Sequence, residues 1–246
     1  MNKNKTLVTA AVILIGDEVL SGRTKDKNLG YIAEFLGEID IHVLEARVVP
    51  DQQSRIIEAV NALRPLYDYV FTTGGIGPTH DDITADAIAA AFSVNIDYND
   101  EAMAILRTRY EEKDFNDARK RMARIPAGAS LIENPVSQAP GFQIENVFVM
   151  AGVPKIMQAM MGCLAHRLEG GARMMSRTVR CDIGEGWIAA KLEVLQSEFP
   201  DVSLASYPFF NKDGMGTNLV ARSINEKSLN KAEAALIAIA NGDSGK

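Results

Sequence analysis

Apolar runs and helical stripes alternate along the first part of the chain. Three runs, at residues 7–15, 42–49 and 68–73, have the length and composition of buried strands. Between them, apolar residues recur at helical spacing in residues 28–38 and 56–63. A regular alternation of strand and helix is typical of βαβ units. The pattern therefore predicts an α/β fold with a doubly wound, mostly parallel sheet.

The middle of the chain is less regular. Residues 100–122 are strongly charged and carry no glycine or proline, which predicts one continuous helix. Two apolar runs, 142–144 and 147–150, flank the pair Glu145-Asn146. Two short apolar runs around such a pair predict a hairpin, which we expect at the edge of the sheet.

Gly170-Gly171 marks the domain boundary that we expect. Beyond it, apolar runs and helical stripes follow in the order strand, helix, strand, strand, helix. A segment of about 75 residues is a usual size for an appended domain. We therefore assign residues 1–170 to an α/β domain that carries the pocket, and residues 171–246 to a small C-terminal α+β domain.

Composition narrows the classes of partner. The chain carries 32 acidic and 26 basic residues, a net charge of −6 at pH 7. Binding along a nucleic-acid backbone needs a basic surface, so we expect no nucleic-acid partner. No apolar run is long enough to span a bilayer, so we expect no membrane partner. Cys163 and Cys181 have no metal-ligand spacing, which favours reduced thiols in a cytoplasmic protein.

The segment TTGGIGPTHDDIT, residues 72–84, is the most informative stretch. It follows a predicted strand and precedes a predicted helix, a layout in which backbone N–H groups face an anion. Asp81 and Asp82 add two carboxylates at the same place, which points to a phosphorylated ligand together with a divalent cation. The alternative is a tight glycine turn whose following residues cap the helix. The spacing fits neither the dinucleotide fingerprint nor the Walker loop.

Acidic residues follow each of the first three predicted strands. Asp17 and Glu18 follow the first, Asp51 the second, and the Asp81-Asp82 pair the third. Ligands of an open parallel sheet bind beyond the carboxyl ends of the strands, so these acids should meet at one edge. The alternative for each single acid is a cap or a solvated turn.

Several of these motifs resemble a known family. GDEVLSG (16–22), Asp51 and TGGIGPTHDDIT (73–84) resemble the molybdopterin-binding domain of the MoaB/MogA type. NPVSQAPGF (134–142) and MAGVP (150–154) are similar to the N-terminal domain of competence/damage-inducible protein A and to the front half of eukaryotic FAD synthase. The segment 199–208 is similar to the small domain that follows in FAD synthase. The resemblance covers nearly the whole chain.

This resemblance implies a pocket for a pterin or an adenine nucleotide. One branch is associated with cobalt- and potassium-dependent hydrolysis of ADP-ribose, and the other with hydrolysis of FAD to FMN and AMP. Both reactions break a pyrophosphate, so we expect a divalent metal (Mg²⁺ or Co²⁺), with K⁺ as a further cation, and a homo-oligomer. The alternatives are a molybdopterin-binding or carrier protein without hydrolase activity, and a paralogue that keeps the fold as an interaction module.

The resemblance also suggests roles for residues. Asp51 and Asp82 match acids considered functional in the molybdopterin branch, so we expect them to be catalytic. We expect Asp82, with Asp51 or Asp17, to hold the metal. The expected ligand-binding residues are Gly16, Asp17, Glu18, Thr73, Gly74, Gly75, Gly77, Pro78, Thr79, Asp81, Lys120, Arg121, Pro135 and Gly141.

Some of these positions have competing interpretations. One cation of the run Arg119-Lys120-Arg121 should neutralise the pyrophosphate, unless the run is a solvated helix face. Pro135 and Gly141 should shape a loop over the ligand. Asn28 opens a predicted helix, where capping is a better explanation than catalysis.

Overall fold

The computed structural model describes residues 7–211 and 214–242. Residues 1–6 of the first assigned domain lie outside the described residues, as do residues 212–213 and 243–246 of the second. The chain forms two compact units. The pocket unit comprises Val8–Gly171, and the small unit contains the residues from Ala172 onwards.

The pocket unit alternates strands and helices as the pattern predicts. Its elements are β1 (Val8–Ile15), α1 (Asp17–Leu20), α2 (Asn28–Glu38), β2 (Ile41–Val49), α3 (Gln53–Leu63), β3 (Tyr69–Thr73), α4 (Thr84–Phe92), β4 (Ile96–Tyr98), α5 (Asp100–Arg109), α6 (Asp117–Lys120), β5 (Arg124–Pro126), β6 (Ser130–Ile132), β7 (Gly141–Ile144), β8 (Val147–Met150) and α7 (Pro154–Leu164). Short 3₁₀ turns lie on both sides of α6.

The main sheet has six strands in the order β2-β1-β3-β8-β7-β6. Strands β2, β1, β3 and β8 are parallel, and β7 and β6 add two antiparallel strands. The mostly parallel α/β fold is therefore confirmed. The predicted hairpin exists as β7–β8, but β8 pairs with β3 inside the sheet. Its placement at the edge was wrong, because β6 adds one further strand.

The central strands of the sheet are buried on both faces, which explains their continuous apolar runs. In β1, Ala11 and Ile13 face the cluster that contains α3 and α4 residues, and Val12 and Leu14 face the cluster of α2 and α7. All four are at most 3% exposed. Strands covered by helices on both sides need apolar residues at every position. This burial holds the carboxyl ends of β1, β2, β3 and β8 in fixed positions.

The single helix predicted for residues 100–122 was wrong. Helix α5 ends at Arg109, Tyr110 is extended, and α6 begins only at Asp117. The break places the ring of Phe115 in the core, where it is 6% exposed. Asn116 then caps α6 by accepting the backbone N–H of Arg119 at 3.1 Å.

The segment that contains this break is closed at its base by two strands that the pattern did not predict. Strands β4 and β5 pair antiparallel, and the backbone N–H of Asn99 donates to the carbonyl of Ala123 at 2.8 Å. Residues 99–123 therefore leave the main fold and return to it; we call them the excursion. Three-residue strands are too short to give a clear sequence pattern.

The small unit has the predicted order of elements. They are β9 (Met175–Cys181), α8 (Glu185–Glu198), β10 (Ser203–Asn211), β11 (Gly214–Ser223) and α9 (Glu226–Ala240). The three strands form an antiparallel sheet in the order β10-β11-β9. Its own core includes Cys181, Ile188, Leu219 and Leu236, so this unit has its own packed interior.

Neither cysteine forms a disulfide; Cys181 is buried and Cys163 is partly buried. In the part of the chain that the structure describes, we find no helix with both the length and the apolar character that a bilayer span requires.

Candidate functional site

A cleft of about 790 Å³ opens beyond the carboxyl ends of β1, β2, β3 and β8. The three acidic loops meet here, as the topology predicts. The expected residues that line it are Gly16, Glu18, Asp51, Gly74, Gly75, Gly77, Pro78, Asp81 and Asp82. The residues that the sequence analysis did not assign include Thr24, Tyr110, Arg119, Asn134, Ser137 and the segment Ala151–Pro154. The cleft therefore contains more of the chain than the three loops alone.

The first two glycines of the loop are required by its own packing. Gly74 has φ 109°, and a Cβ there would lie 2.1 Å from the carbonyl oxygen of Ile15. Gly75 has φ 68°, and a Cβ there would lie 2.1 Å from Oγ1 of Thr84. That hydroxyl, at the first turn of α4, donates to the carbonyl of Gly74 at 3.0 Å. The loop is thus fixed against the start of α4.

The backbone amides of the loop fall into two groups. The N–H of Gly74 donates to the carbonyl of Met150 at 3.1 Å, and the N–H of Thr79 donates to the Asp82 carboxylate at 2.8 Å. The N–H groups of residues 75–77 have no acceptor within the described residues. All three residues line the cleft. Unpaired backbone N–H groups normally find a partner in water or a ligand, and three in succession form an anion-binding nest.

Asp82 stabilises the loop through Thr79 and not by capping α4. Its carboxylate accepts the N–H of Thr79 at 2.8 Å and the hydroxyl at 2.5 Å. Helix α4 begins after Ile83 without any side-chain cap, so the capping role considered for the acid pair was wrong. The pKa of the neighbouring Asp81 carboxyl lies below its ordinary value, with hydrogen bonding as the main cause.

Asp51 is the acid of the cleft whose carboxyl has a raised pKa. Burial raises the pKa of its carboxyl, and the nearby charges of Glu18, Asp17 and Asp81 raise it further. A hydrogen bond from the backbone N–H of Asp17, at 2.9 Å, acts in the opposite direction. The carboxylates therefore repel one another, and a cation would relieve that repulsion.

The donor set is only partly assembled for a metal. Within residues 7–211 and 214–242, no three His, Cys, Asp or Glu side chains are grouped closely enough to hold an ion. Asp17 donates its backbone N–H to the Asp51 carboxylate and does not itself line the cleft. Magnesium is often held by one or two carboxylates together with substrate phosphates and water. Asp51 and Asp82 fit that kind of site, and the metal ligands Asp17, Asp51 and Asp82 stay a prediction.

One cation of the run Arg119-Lys120-Arg121 lines the cleft. Arg119 lines the cleft, and its guanidinium carbon lies 4.2 Å from the centre of the Tyr110 ring. Lys120 lies outside the cleft and pairs with Asp117 at 3.0 Å. Arg121 lines a smaller cavity of about 20 Å³ beside the glycine loop. Arg119 is therefore the member of the run that lines the cleft, while the expected ligand contacts of Lys120 and Arg121 stay predictions.

Two further expected residues do not line the cleft. Pro135 is exposed, and Gly141 is buried in β7, where a Cβ would lie 2.4 Å from the terminal methyl of Met160. Gly141 is therefore needed for packing. The loop between β6 and β7 is held instead by Asn134. The side-chain amide of Asn134 donates to the hydroxyl of Ser137 at 2.6 Å and to the carbonyl of Ala139 at 2.7 Å.

Asn28 does not cap its helix. Asp26 caps α2, because its carboxylate accepts the N–H of Asn28 at 3.0 Å and that of Leu29 at 3.1 Å. The Asn28 amide instead donates to the carbonyl of Gly152 at 2.8 Å and to the Thr73 hydroxyl at 3.3 Å. Its carbonyl oxygen is buried without a partner in the described residues. Asn28 and Thr73 thus connect two strand ends behind the cleft.

The side chain of His80 is 97% exposed, and Nδ1 lies 4.0 Å from the Asp81 carboxylate. Neither His80 nor Thr79 lines the cleft. Thr79 contacts the site through Asp82, and its expected contact with the ligand stays a prediction.

Comparison with known proteins identifies the family. Residues 11–170 match the family described as "Probable molybdopterin binding domain", which is well over half of the chain. The chain belongs to that molybdopterin-binding domain family. Residues 173–244 match a second family, described as "FAD synthase, middle domain". The family resemblance indicated by the motifs is confirmed.

Three relatives illustrate the range of the match. A protein of Archaeoglobus fulgidus is 33% identical over 80% of this chain and 84% of its own length. A probable FAD synthase of Caenorhabditis briggsae is 28% identical over 93% of this chain, which spans only 49% of that protein. The crystal structure of CinA from Thermoplasma acidophilum, described as of unknown function, is 33% identical and superposes with a TM-score of 0.62. It covers 65% of this chain and 96% of its own.

Proposed function

We propose that the cleft binds a nucleotide diphosphate, ADP-ribose or FAD, and hydrolyses its pyrophosphate with the help of a divalent cation. The observation that carries the proposal is the row of amides at residues 75–77, which have no acceptor among the described residues and belong to the lining of a cleft that also contains carboxylates. Backbone amides of this kind bind phosphate oxygens. Similarity to FAD synthases supports the choice of ligand class.

The charges of the cleft favour a metal-dependent reaction. Among the described residues that line it, Glu18, Asp51, Asp81 and Asp82 are acidic, and Arg119 is the one basic residue. A diphosphate placed among four carboxylates is repelled unless a cation compensates for the charge. We assign Asp51 and Asp82 to that cation, which would polarise a phosphoryl oxygen and activate water.

The chain's own residues would then have separate tasks. The amides of Gly75 and Gly77 orient one phosphate, and Arg119 stabilises the charge on the other. Thr79 holds the Asp82 carboxylate in place through two hydrogen bonds. Burial and the neighbouring acids disfavour the charged form of Asp51, and a cation bound there would stabilise that charge.

The test is to incubate the purified protein with FAD or ADP-ribose and with Mg²⁺ or Co²⁺, and to measure AMP. We expect AMP release that excess EDTA abolishes. Asp82→Asn should abolish release while the melting temperature stays close to that of the wild type. Asp97→Asn is the matched control, because Asp97 lies in β4 and does not line the cleft. AMP release unchanged by EDTA or by Asp82→Asn would contradict the proposed mechanism.

The second candidate is a molybdopterin-binding or carrier protein without hydrolase activity. The observation that favours it is the match of residues 11–170 to the molybdopterin-binding family, together with the lack of a preassembled three-acid metal group in the described residues. Absence of turnover with FAD and ADP-ribose, combined with tight binding of molybdopterin, would favour this candidate. The roles of K⁺, a homo-oligomer and a cytoplasmic location remain predictions under either candidate.

A further inference from the structure

The excursion brings one aromatic ring and one guanidinium to the cleft wall. Tyr110 and Arg119 both line the cleft, although eight residues lie between them in sequence. Phe115 lies between them in sequence and is buried. Its ring stacks on that of Tyr110, with ring centres 6.3 Å apart and an interplanar angle of 11°. The aromatic pair therefore anchors the excursion where its two polar groups face the ligand space.

The guanidinium of Arg119 is held by two contacts. Its carbon lies 4.2 Å from the centre of the Tyr110 ring, a cation–π geometry. One of its nitrogens donates to the carbonyl of Asp114. Neither contact involves a charge, so the cation keeps its full charge and most of its donors for a ligand.

Arg119 is not paired with the acids of the same cleft. Four carboxylates line the cleft, yet Arg119 forms no ion pair with any described carboxylate. An arginine paired with such an acid would have to give up that pair to a diphosphate. Arg119, stacked on Tyr110, has no such pair to break.

We infer that Tyr110 is a positioning residue that holds Arg119 ready for the second phosphate of a diphosphate ligand. Tyr110 acts through Arg119 and does not itself bind the ligand. The inference rests on the proposed function, since it assumes that one phosphate lies on the amides of residues 75–77.

The test is a double-mutant cycle read by calorimetric binding of ADP-ribose and of AMP in the presence of Mg²⁺. Tyr110→Leu should weaken ADP-ribose binding about three- to tenfold, the range expected for loss of one cation–π contact. AMP, which lacks the second phosphate, should lose less than twofold. Tyr110→Phe keeps the ring and should restore wild-type binding.

The decisive measurement is made in the Arg119→Ala background. There, Tyr110→Leu should have no further effect on ADP-ribose affinity, because the residue that it positions is absent. Arg119→Lys keeps the charge but loses the planar stack, and should reproduce the loss seen with Tyr110→Leu. It also replaces that variant if Tyr110→Leu does not fold. Tyr98→Leu, an exposed tyrosine in β4, is the matched control.

Two results would overturn the inference in different ways. Equal losses for ADP-ribose and AMP, or additive losses in the double variant, would show that Tyr110 acts by general packing or by direct contact. The proposed function would survive that result. If the wild-type protein binds neither ADP-ribose nor FAD, the proposed function fails and this inference fails with it.

Discussion

Replacing Gly75 by alanine tests the packing of the glycine loop most directly. Gly75 has φ 68°, in the left-handed region that costs an alanine about 1–2 kcal/mol. The new Cβ would also lie 2.1 Å from Oγ1 of Thr84. That hydroxyl must then move and lose its 3.0 Å bond to the buried carbonyl of Gly74, which costs about 1–3 kcal/mol. The free energy of unfolding should therefore fall by about 2–5 kcal/mol.

A second substitution separates the two costs. Thr84→Ala removes the hydroxyl and by itself should cost about 1–3 kcal/mol, because the carbonyl of Gly74 loses its partner. In the Thr84→Ala background, the new Cβ of Gly75→Ala would have the Cβ of residue 84 at 3.2 Å and no hydroxyl in its way. The further loss of stability should then be near the cost of the left-handed backbone alone, about 1–2 kcal/mol. The double variant should thus be more stable than the sum of the single losses predicts, by about 1–3 kcal/mol.

Urea unfolding followed by far-UV circular dichroism measures these differences. Gly30→Ala in α2 is the matched control, since a Cβ there meets nothing within 4 Å. It should stabilise the protein by about 0.5–1 kcal/mol through helix propensity. If the losses from Gly75→Ala and Thr84→Ala simply add, within about 0.5 kcal/mol, the steric conflict that we derive from the loop does not exist.

Three further substitutions test other parts of the site, each by thermal unfolding. The pKa of Asp51 is raised in the folded protein, so ionisation costs stability as pH rises through the interval between the unfolded and folded pKa values. Asp51→Asn should therefore raise the melting temperature at pH 7 by a small amount, limited by solvent screening, and have no such effect at pH 3. Asn28→Asp places a carboxylate 2.8 Å from the Gly152 carbonyl, so its destabilisation should increase with pH. Arg124→Met removes the two hydrogen bonds, of 2.7 and 2.8 Å, that the partly buried Asp86 carboxylate accepts, and should lower the melting temperature by about 2–4 °C. For each of the three substitutions, an unchanged melting temperature at pH 7 would contradict the corresponding contact.

The sequence was sufficient for the parts of the fold that are buried on both faces. Strand β1 shows why: Ala10–Ile15 is a continuous apolar run, and every side chain in it is buried. A charged, half-exposed segment gives no such signal. Residues 100–122 carry helix-forming residues throughout, yet burial of Phe115 interrupts the helix. Tertiary packing outweighs local propensity there, since each propensity is worth only a few tenths of a kcal/mol per residue.

The sequence does not show which of three consecutive basic residues lines the cleft, and the reason is geometric. Neighbours on a helix point about 100° apart, so Arg119, Lys120 and Arg121 point in different directions. Which one does depends on where α6 begins, and that start is set by Asn116. The pair Asn116-Asp117 is an N-cap signal that could have located the start. The role of Asn28 depends in the same way on where its helix begins. The position of Asn28 suggested a cap, but Asp26, two residues earlier, takes that role.

The glycines of residues 74–77 are weaker evidence for a ligand than the amides beside them. A loop with no ligand would still need Gly74 and Gly75, because the Ile15 carbonyl and the Thr84 hydroxyl leave no room for a side chain. The packing does not explain why three successive amides of the cleft lining are unpaired among the described residues, since a loop stabilised only by itself would gain from pairing them. Under the proposed function an anion would satisfy these amides, and the four carboxylates that line the cleft would then require a cation. Anion and cation are therefore coupled: each should bind more tightly in the presence of the other, and equal affinity for ADP-ribose with and without Mg²⁺ would contradict this account.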